Sequence, residues 1–226
     1  MEILSAYLRR ISSDLTYWAD KLKDEYGLTV KLGQEILEAS NILRQIYLIL
    51  STVPKDLVKD CGIKTLILRY LGENKEKFPN HGYYQASDQS ITINSDIFVH
   101  PDQPDDFFDY KGYFIDRPTQ TLLHEMGHAF EAVHGYLSLK PAWMSLSGWS
   151  KTYKPGLKRL LIKEPGTPDV LGEMFFDPTS LFTRFYGKRN PEDDFADCFS
   201  MFVGGLEDKV PPLKRKYFDT LLKKYY

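Results

Sequence analysis

Cysteine is scarce in this chain of 226 residues: Cys61 and Cys198 stand far apart and form no CxxC pair. That excludes a cysteine-rich zinc module and argues against a disulfide framework, so both are expected as buried thiols. An excess of either charge is also missing. With 29 Lys+Arg against 31 Asp+Glu the net charge is −2, so nothing general draws the chain to nucleic acid or to an anionic membrane. Long apolar runs are absent too. Stretches such as Ile46–Leu50 fall far short of the roughly 18 residues of a spanning helix, so no membrane segment is expected. The first residues lack a basic start, an unbroken apolar stretch and a small-residue cleavage site. The expectation is a cytoplasmic protein, although a mature fragment or a chain exported by another route would look the same. Repeats and low-complexity stretches are missing, which excludes a solenoid.

What is present suffices for a sizeable core: 42% of residues are apolar and 14% aromatic. One domain over 1–226 is expected, with N-terminal helices over 1–60, a sheet and a helix over 61–135, and a mainly helical lobe over 136–226. Leu4, Leu8, Ile11, Leu15 and Leu22 recur at helical spacing up to Gly27. A second helix is expected over Lys31–Leu50, a strand over Thr65–Tyr70 before a Gly72–Asn74 break, and a β-hairpin over Gly82–Asn94. An acidic loop, Pro101–Asp109, leads to a helix over Pro118–His134, with proline in its first turn and Gly135 past its end. Further helices are expected near 169–185, 191–203 and 212–225. Helices around a small antiparallel sheet make the class α+β.

Inside the helix over Pro118–His134 lies His124-Glu125-Met-Gly-His128, an HExxH motif. Histidines four apart share a helix face, so both imidazoles reach one ion. Glu125, rotated by about 100° from His124, can approach a water without being a ligand. Imidazole and carboxylate donors and an open position suit Zn2+. The competing reading is two unrelated histidines on an amphipathic helix.

A third protein ligand is needed. His134 stands six residues after His128, as in HExxHxxGxxH, but the glycine that turns the chain back is Glu131 here. On a continuing helix six residues turn His134 by about 240° away from His128. The better candidate lies in Tyr186-Gly-Lys-Arg-Asn-Pro-Glu192-Asp193-Asp194-Phe-Ala-Asp197, where proline and acids open a helix and Asp193 and Asp197 share one face. Glu192, Glu164 and Glu173 remain alternatives, and acids in a first turn also serve simply to complement the helix dipole.

These two segments together resemble the zinc metallopeptidases related to anthrax lethal factor and the Pro-Pro endopeptidases. The resemblance implies a zincin-like fold and one catalytic zinc held by His124, His128 and Asp193, with Glu125 as general base. It further implies that Tyr186 stabilises the oxyanion and that Asp197 supports a histidine. It is specific over the two motifs and loose from about residue 65 to 205. Aspartate replaces glutamate at both acidic positions, and the 64 residues between His128 and Asp193 make a long spacer for the group. Aspartate is one methylene shorter, so its helix has to come closer to the metal.

The function expected is a metalloendopeptidase that hydrolyses peptide bonds with a zinc-activated water. Its partner is a peptide or protein substrate, and nothing in the residues bears on oligomeric state. Gly82, Tyr83 and Tyr84 of the hairpin are candidates for holding that substrate along a strand edge, against the plain alternative of an ordinary hairpin. The tract Pro141–Trp149 reads either as a wall of the site or as a loop anchored by its tryptophans. Two other classes stay open: a non-catalytic zinc-binding or toxin-accessory domain, and a metzincin-type peptidase that uses His134.

Overall fold

The computed structural model describes residues 2–33, 36, 38–70, 81–99, 115–163, 170–184 and 186–226. The Gly72–Asn74 break, the loop Pro101–Asp109 and Glu164 lie outside the described residues.

The chain opens with α1 (Glu2–Tyr26), then β1 (Thr29–Leu32), α2 (Ala39–Ser51) and α3 (Lys55–Asp60). There follow β2 (Thr65–Arg69), β3 (Gly82–Gln85), β4 (Ser90–Asn94), the short α4 (Asp96–Val99) and α5 (Arg117–Val133). The first four strands form one sheet in the order β1-β2-β4-β3. Here the structure corrects the expected antiparallel sheet: β1, β2 and β4 run parallel, and only β3 opposes its neighbour. The hairpin from β3 to β4 is antiparallel because its turn is short. β1 instead reaches β2 through a crossover containing α2 and α3, which returns the chain in the same direction. The helix expected over Lys31–Leu50 is shorter for the same reason. Thr29–Leu32 pairs with β2 along its whole length, so the stretch 1–60 is not all helix.

The C-terminal half holds α6 (Pro141–Ser147), β5 (Trp149–Ser150), β6 (Lys158–Lys163), β7 (Val170–Phe176), α7 (Pro191–Val203) and α8 (Pro212–Leu221). The expected helix near 169–185 is a strand at its start. β7 is the centre of a three-stranded antiparallel sheet ordered β5-β7-β6, and Phe175 and Phe176 suit a pleated surface. The lobe is therefore helices plus a small sheet rather than mainly helical. The class remains α+β, with small sheets and several helices.

α5 packs against α7 and against β3 and β4. One buried cluster runs from Leu22 through Leu43 and Ile46, Leu66 and Leu68, Ile91 and Ile93, and Leu123 and Phe130, to Phe199 and Phe218. Trp143 is fully buried against Phe195, Tyr217 and Phe218, and Trp149 is buried as well. The tract Pro141–Trp149 is thus anchored in the core by its tryptophans. Both cysteines are buried free thiols. Among the described residues no helix is long and apolar enough to cross a membrane.

Candidate metal centre

α5 begins where the Asp116 side chain accepts the backbone N–H of Thr119 at 2.9 Å, with Pro118 in the first turn. It ends in a Schellman turn: the Tyr136 N–H reaches the Glu131 carbonyl at 2.7 Å and the Gly135 N–H that of Ala132 at 3.1 Å. Gly135 takes φ +77°, the left-handed conformation glycine adopts without strain. The helix therefore runs straight past Phe130. His134, its C-cap, faces elsewhere and meets Asp60 Oδ2 at 3.1 Å.

α7 is opened by Asn190, whose Oδ1 accepts the Asp193 N–H at 2.6 Å, and by Pro191. The two helices touch at their smallest residues. A Cβ placed on Gly127 would lie 2.9 Å from the Cα of Ala196 and 3.2 Å from its Cβ. This contact carries Asp193 up to the two histidines.

The result is a triangle of donor atoms. His124 Nε2 lies 3.1 Å from His128 Nε2, and Asp193 Oδ1 lies 3.6 Å from the first and 3.4 Å from the second. A tetrahedral zinc with bonds of ~2.0–2.1 Å has ligand-to-ligand edges of about 3.3 Å, so the three atoms fit its three protein corners. Among the described residues these three form the group able to hold a metal ion. Glu192 is half-buried and outside that group, and Glu173 pairs with Arg159 on the second sheet.

Each imidazole is held from behind. His124 Nδ1 meets Asp197 Oδ1 at 2.9 Å, and Arg184 Nη2 donates to the same oxygen; Asp197 is fully buried. An Nδ1–H given to a carboxylate leaves Nε2 as the lone-pair nitrogen that faces the triangle. His128 Nδ1 faces Glu131 Oε1 at 3.5 Å, while Glu131 Oε2 accepts the Ser138 N–H at 3.0 Å. Glu131 was not among the expected site residues. Its signal in the sequence is a carboxylate three residues after His128, one helical turn away.

Charge sets the protonation of the group. Burial works to raise the Asp193 carboxyl, but hydrogen bonds and charge from His124 and His128 outweigh it and hold it well below its ordinary range. Burial likewise pushes against charge on both histidines, and the carboxylates around them win, so both are raised. Glu125 is raised by burial, tempered by the two histidines. Its carboxylate accepts the backbone N–H of Tyr84. Tyr186 packs edge-on to His124 with ring centres 5.5 Å apart, and burial raises its phenol, keeping it a hydrogen-bond donor. The Arg189 guanidinium covers the tyrosine ring at 4.5 Å.

β3 is the outer strand of its sheet and runs beside Glu125. A Cβ on Gly82 would meet Thr121 Cγ2 at 2.8 Å and Glu125 Cγ at 3.2 Å. The carbonyl of His81 pairs with the Asn94 N–H, so by antiparallel alternation the main-chain groups of Gly82 and Tyr84 point away from β4. Tyr83 is partly exposed and Tyr84 packs on the core.

No family model matches the chain, and no curated protein is similar to it. Among solved structures it is similar to a protein from Bacteroides caccae ATCC 43185 named a putative zinc-binding metallo-peptidase. The TM-score is 0.45 and the identity 13%, over 96% of this chain and 79% of that one.

Proposed function

We propose that the chain, as one domain over 1–226, is a zinc-dependent metalloendopeptidase. His124, His128 and Asp193 would hold the ion. The observation that carries this reading is the triangle of 3.1, 3.4 and 3.6 Å among their donor atoms, with the HExxH glutamate beside it. Zinc held there would supply a Lewis acid and would bring a water toward ionisation near neutral pH.

The chain's own residues account for the rest. Glu125, raised by burial, is suited to take a proton from the attacking water and return it to the leaving amine. The protonated Tyr186 phenol donates to the carbonyl oxygen as that atom gains charge. Asp197 fixes the tautomer of His124. The outward main-chain groups of Gly82 and the Tyr84 carbonyl offer an extended peptide a strand to lie against, and Tyr83 flanks it. A purely structural zinc site needs no base and fills its fourth position with Cys or His, so Glu125 favours catalysis over a binding-only domain. Within the HExxH peptidases, Tyr186, Asp193 and Asp197 favour the group related to lethal factor and the Pro-Pro endopeptidases.

The test is zinc content by elemental analysis of wild type, Asp193→Ala, Glu192→Ala and His134→Ala, with peptide-library cleavage by wild type and Glu125→Ala. About one zinc per chain, lost only in Asp193→Ala, is expected, together with a Glu125→Ala protein that keeps metal and cuts nothing. A wild type that takes up no zinc after supplementation overturns the reading. Loss through His134→Ala instead moves the chain to the metzincin type.

A further inference from the structure

Asp193 has two carboxylate oxygens, and Oδ1 is the one nearest to both histidines. The other, Oδ2, accepts a hydrogen bond from Asn190 Nδ2 at 2.8 Å, with Arg189 Nε at 3.9 Å on the same side. Asn190 thus does two things with one amide: its oxygen caps α7 by accepting the Asp193 N–H at 2.6 Å, and its nitrogen grips the carboxylate of the same residue. Capping alone does not call for asparagine, since aspartate and serine cap about equally well. What asparagine adds is the donor to Oδ2.

We propose that Asn190 is a positioning residue that holds Asp193 as a one-oxygen ligand and thereby sets the affinity and coordination number of the site. The inference rests on the zinc reading above. An aspartate free to turn about its Cβ–Cγ bond offers either oxygen, or both at once, and a two-oxygen grip adds a ligand to a centre that needs an open position. With Oδ2 tied to the helix cap, the carboxylate plane is fixed and Oδ1 alone is presented. Because the tie is made by the residue that starts α7, ligand orientation and helix start are set together. The sequence Asn-Pro-x-Asp does this in four residues.

The experiment uses the full chain with Asn190→Ser, which keeps a capping oxygen and removes the amide donor, and Asn190→Ala, which removes both. Zinc affinity is measured by competition with a chromophoric chelator. The cobalt(II)-loaded proteins are compared by visible absorption, whose intensity falls as a four-coordinate centre gains a ligand, and the metal-free proteins by thermal unfolding. The expected result for Asn190→Ser is metal-free unfolding close to wild type, zinc binding about 10- to 100-fold weaker, and weaker cobalt bands. Asn190→Ala shares the metal defect and unfolds earlier. Wild-type affinity and an unchanged cobalt spectrum in Asn190→Ser overturn the proposal while leaving the zinc reading intact. A metal defect in Asn190→Ala alone, matched by its loss of stability, assigns Asn190 to capping only and also overturns it. If wild type binds neither metal, the zinc reading itself falls.

Discussion

The Cα of Ala196 lies where a methyl group on Gly127 would be only 2.9 Å away, so α5 and α7 are packed backbone to backbone at the level of His124, His128 and Asp193. This answers the difficulty raised by an aspartate at the proposed third-ligand position. A side chain one methylene shorter than glutamate reaches the histidines across this close helix contact.

Gly127→Ala is accordingly expected to force the helices apart. Overpacking of this kind costs roughly 1–3 kcal/mol, and it also withdraws Asp193 from the triangle, so zinc affinity falls with stability. Asp193→Glu on the wild-type background is expected to bind zinc poorly, its side chain being too long for the gap. Combining the two substitutions restores part of the affinity, as the longer ligand meets the wider spacing. Chelator competition on the three variants checks this, and a double variant no better than either single one would rule out the matching of ligand length to helix spacing.

Glu131 is 2% exposed, and its carboxylate sits between the Ser138 N–H and His128 Nδ1. Glu131→Gln keeps the shape and an acceptor but removes the charge that favours an Nδ1–H on His128. The expectation is a metal-free fold like that of wild type and zinc affinity lowered by about 10-fold or more. Nitrogen-15 shifts of the imidazoles would read the tautomer of His128 directly, and wild-type shifts together with wild-type affinity would deny Glu131 any role at the ligand.

The site was more legible in the sequence than the sheets were. α5 announces itself by Pro118 and Gly135, and α7 by Pro191 and the acids after it. Those signals are local, and they place His124, His128 and Asp193 on faces that can meet. β1 is different: its last two residues, Lys31 and Leu32, fall in a stretch expected to be helical, yet all four pair with β2, and that tertiary partner makes them a strand. β7 carries Gly172 in its middle and no clean alternation, so no period distinguishes it from a helix. The parallel direction of β1, β2 and β4 depends on a crossover, which no run of residues displays. Glu131 illustrates a subtler miss. Noticed as the absence of a turning glycine, it is equally the presence of a buried acid one turn from His128.

The zinc-free protein should have a distinctive pH profile. His124 and His128 have raised pKa values, despite burial, because of the carboxylates around them. Their contribution to stability is full below the ordinary value of 6.5 and is lost as pH rises through the raised values. Asp193 and Asp197 are lowered against the effect of burial, Asp193 by the histidines and Asp197 by Arg184 and His124. Their contribution is present above the ordinary value of 3.8 and disappears as pH falls. Stability without metal is therefore greatest between these limits and declines on the alkaline side. His124 and His128 holding zinc through Nε2 would give up those protons, so the loaded protein is expected to keep its stability there. Thermal unfolding of chelator-treated and zinc-loaded protein from acid to pH 9 measures both limbs, and a metal-free curve that stays level above pH 6.5 contradicts the assignment.

Tyr186 is the residue whose proposed role is most cleanly separated from metal binding. Its ring lies beside His124, yet it belongs to the turn before α7 and is outside the group of metal-binding atoms. Burial keeps its phenol protonated, so its hydroxyl can donate to an oxygen that becomes negative during the reaction and is neutral in the bound substrate. Such a donor acts on the transition state more than on the ground state. Tyr186→Phe is expected to lower kcat by about 10²–10³, with KM and zinc content near wild type. A fall in zinc content that matches the fall in rate would instead make Tyr186 a packing residue for His124, and an unchanged kcat would leave the oxyanion to the metal alone.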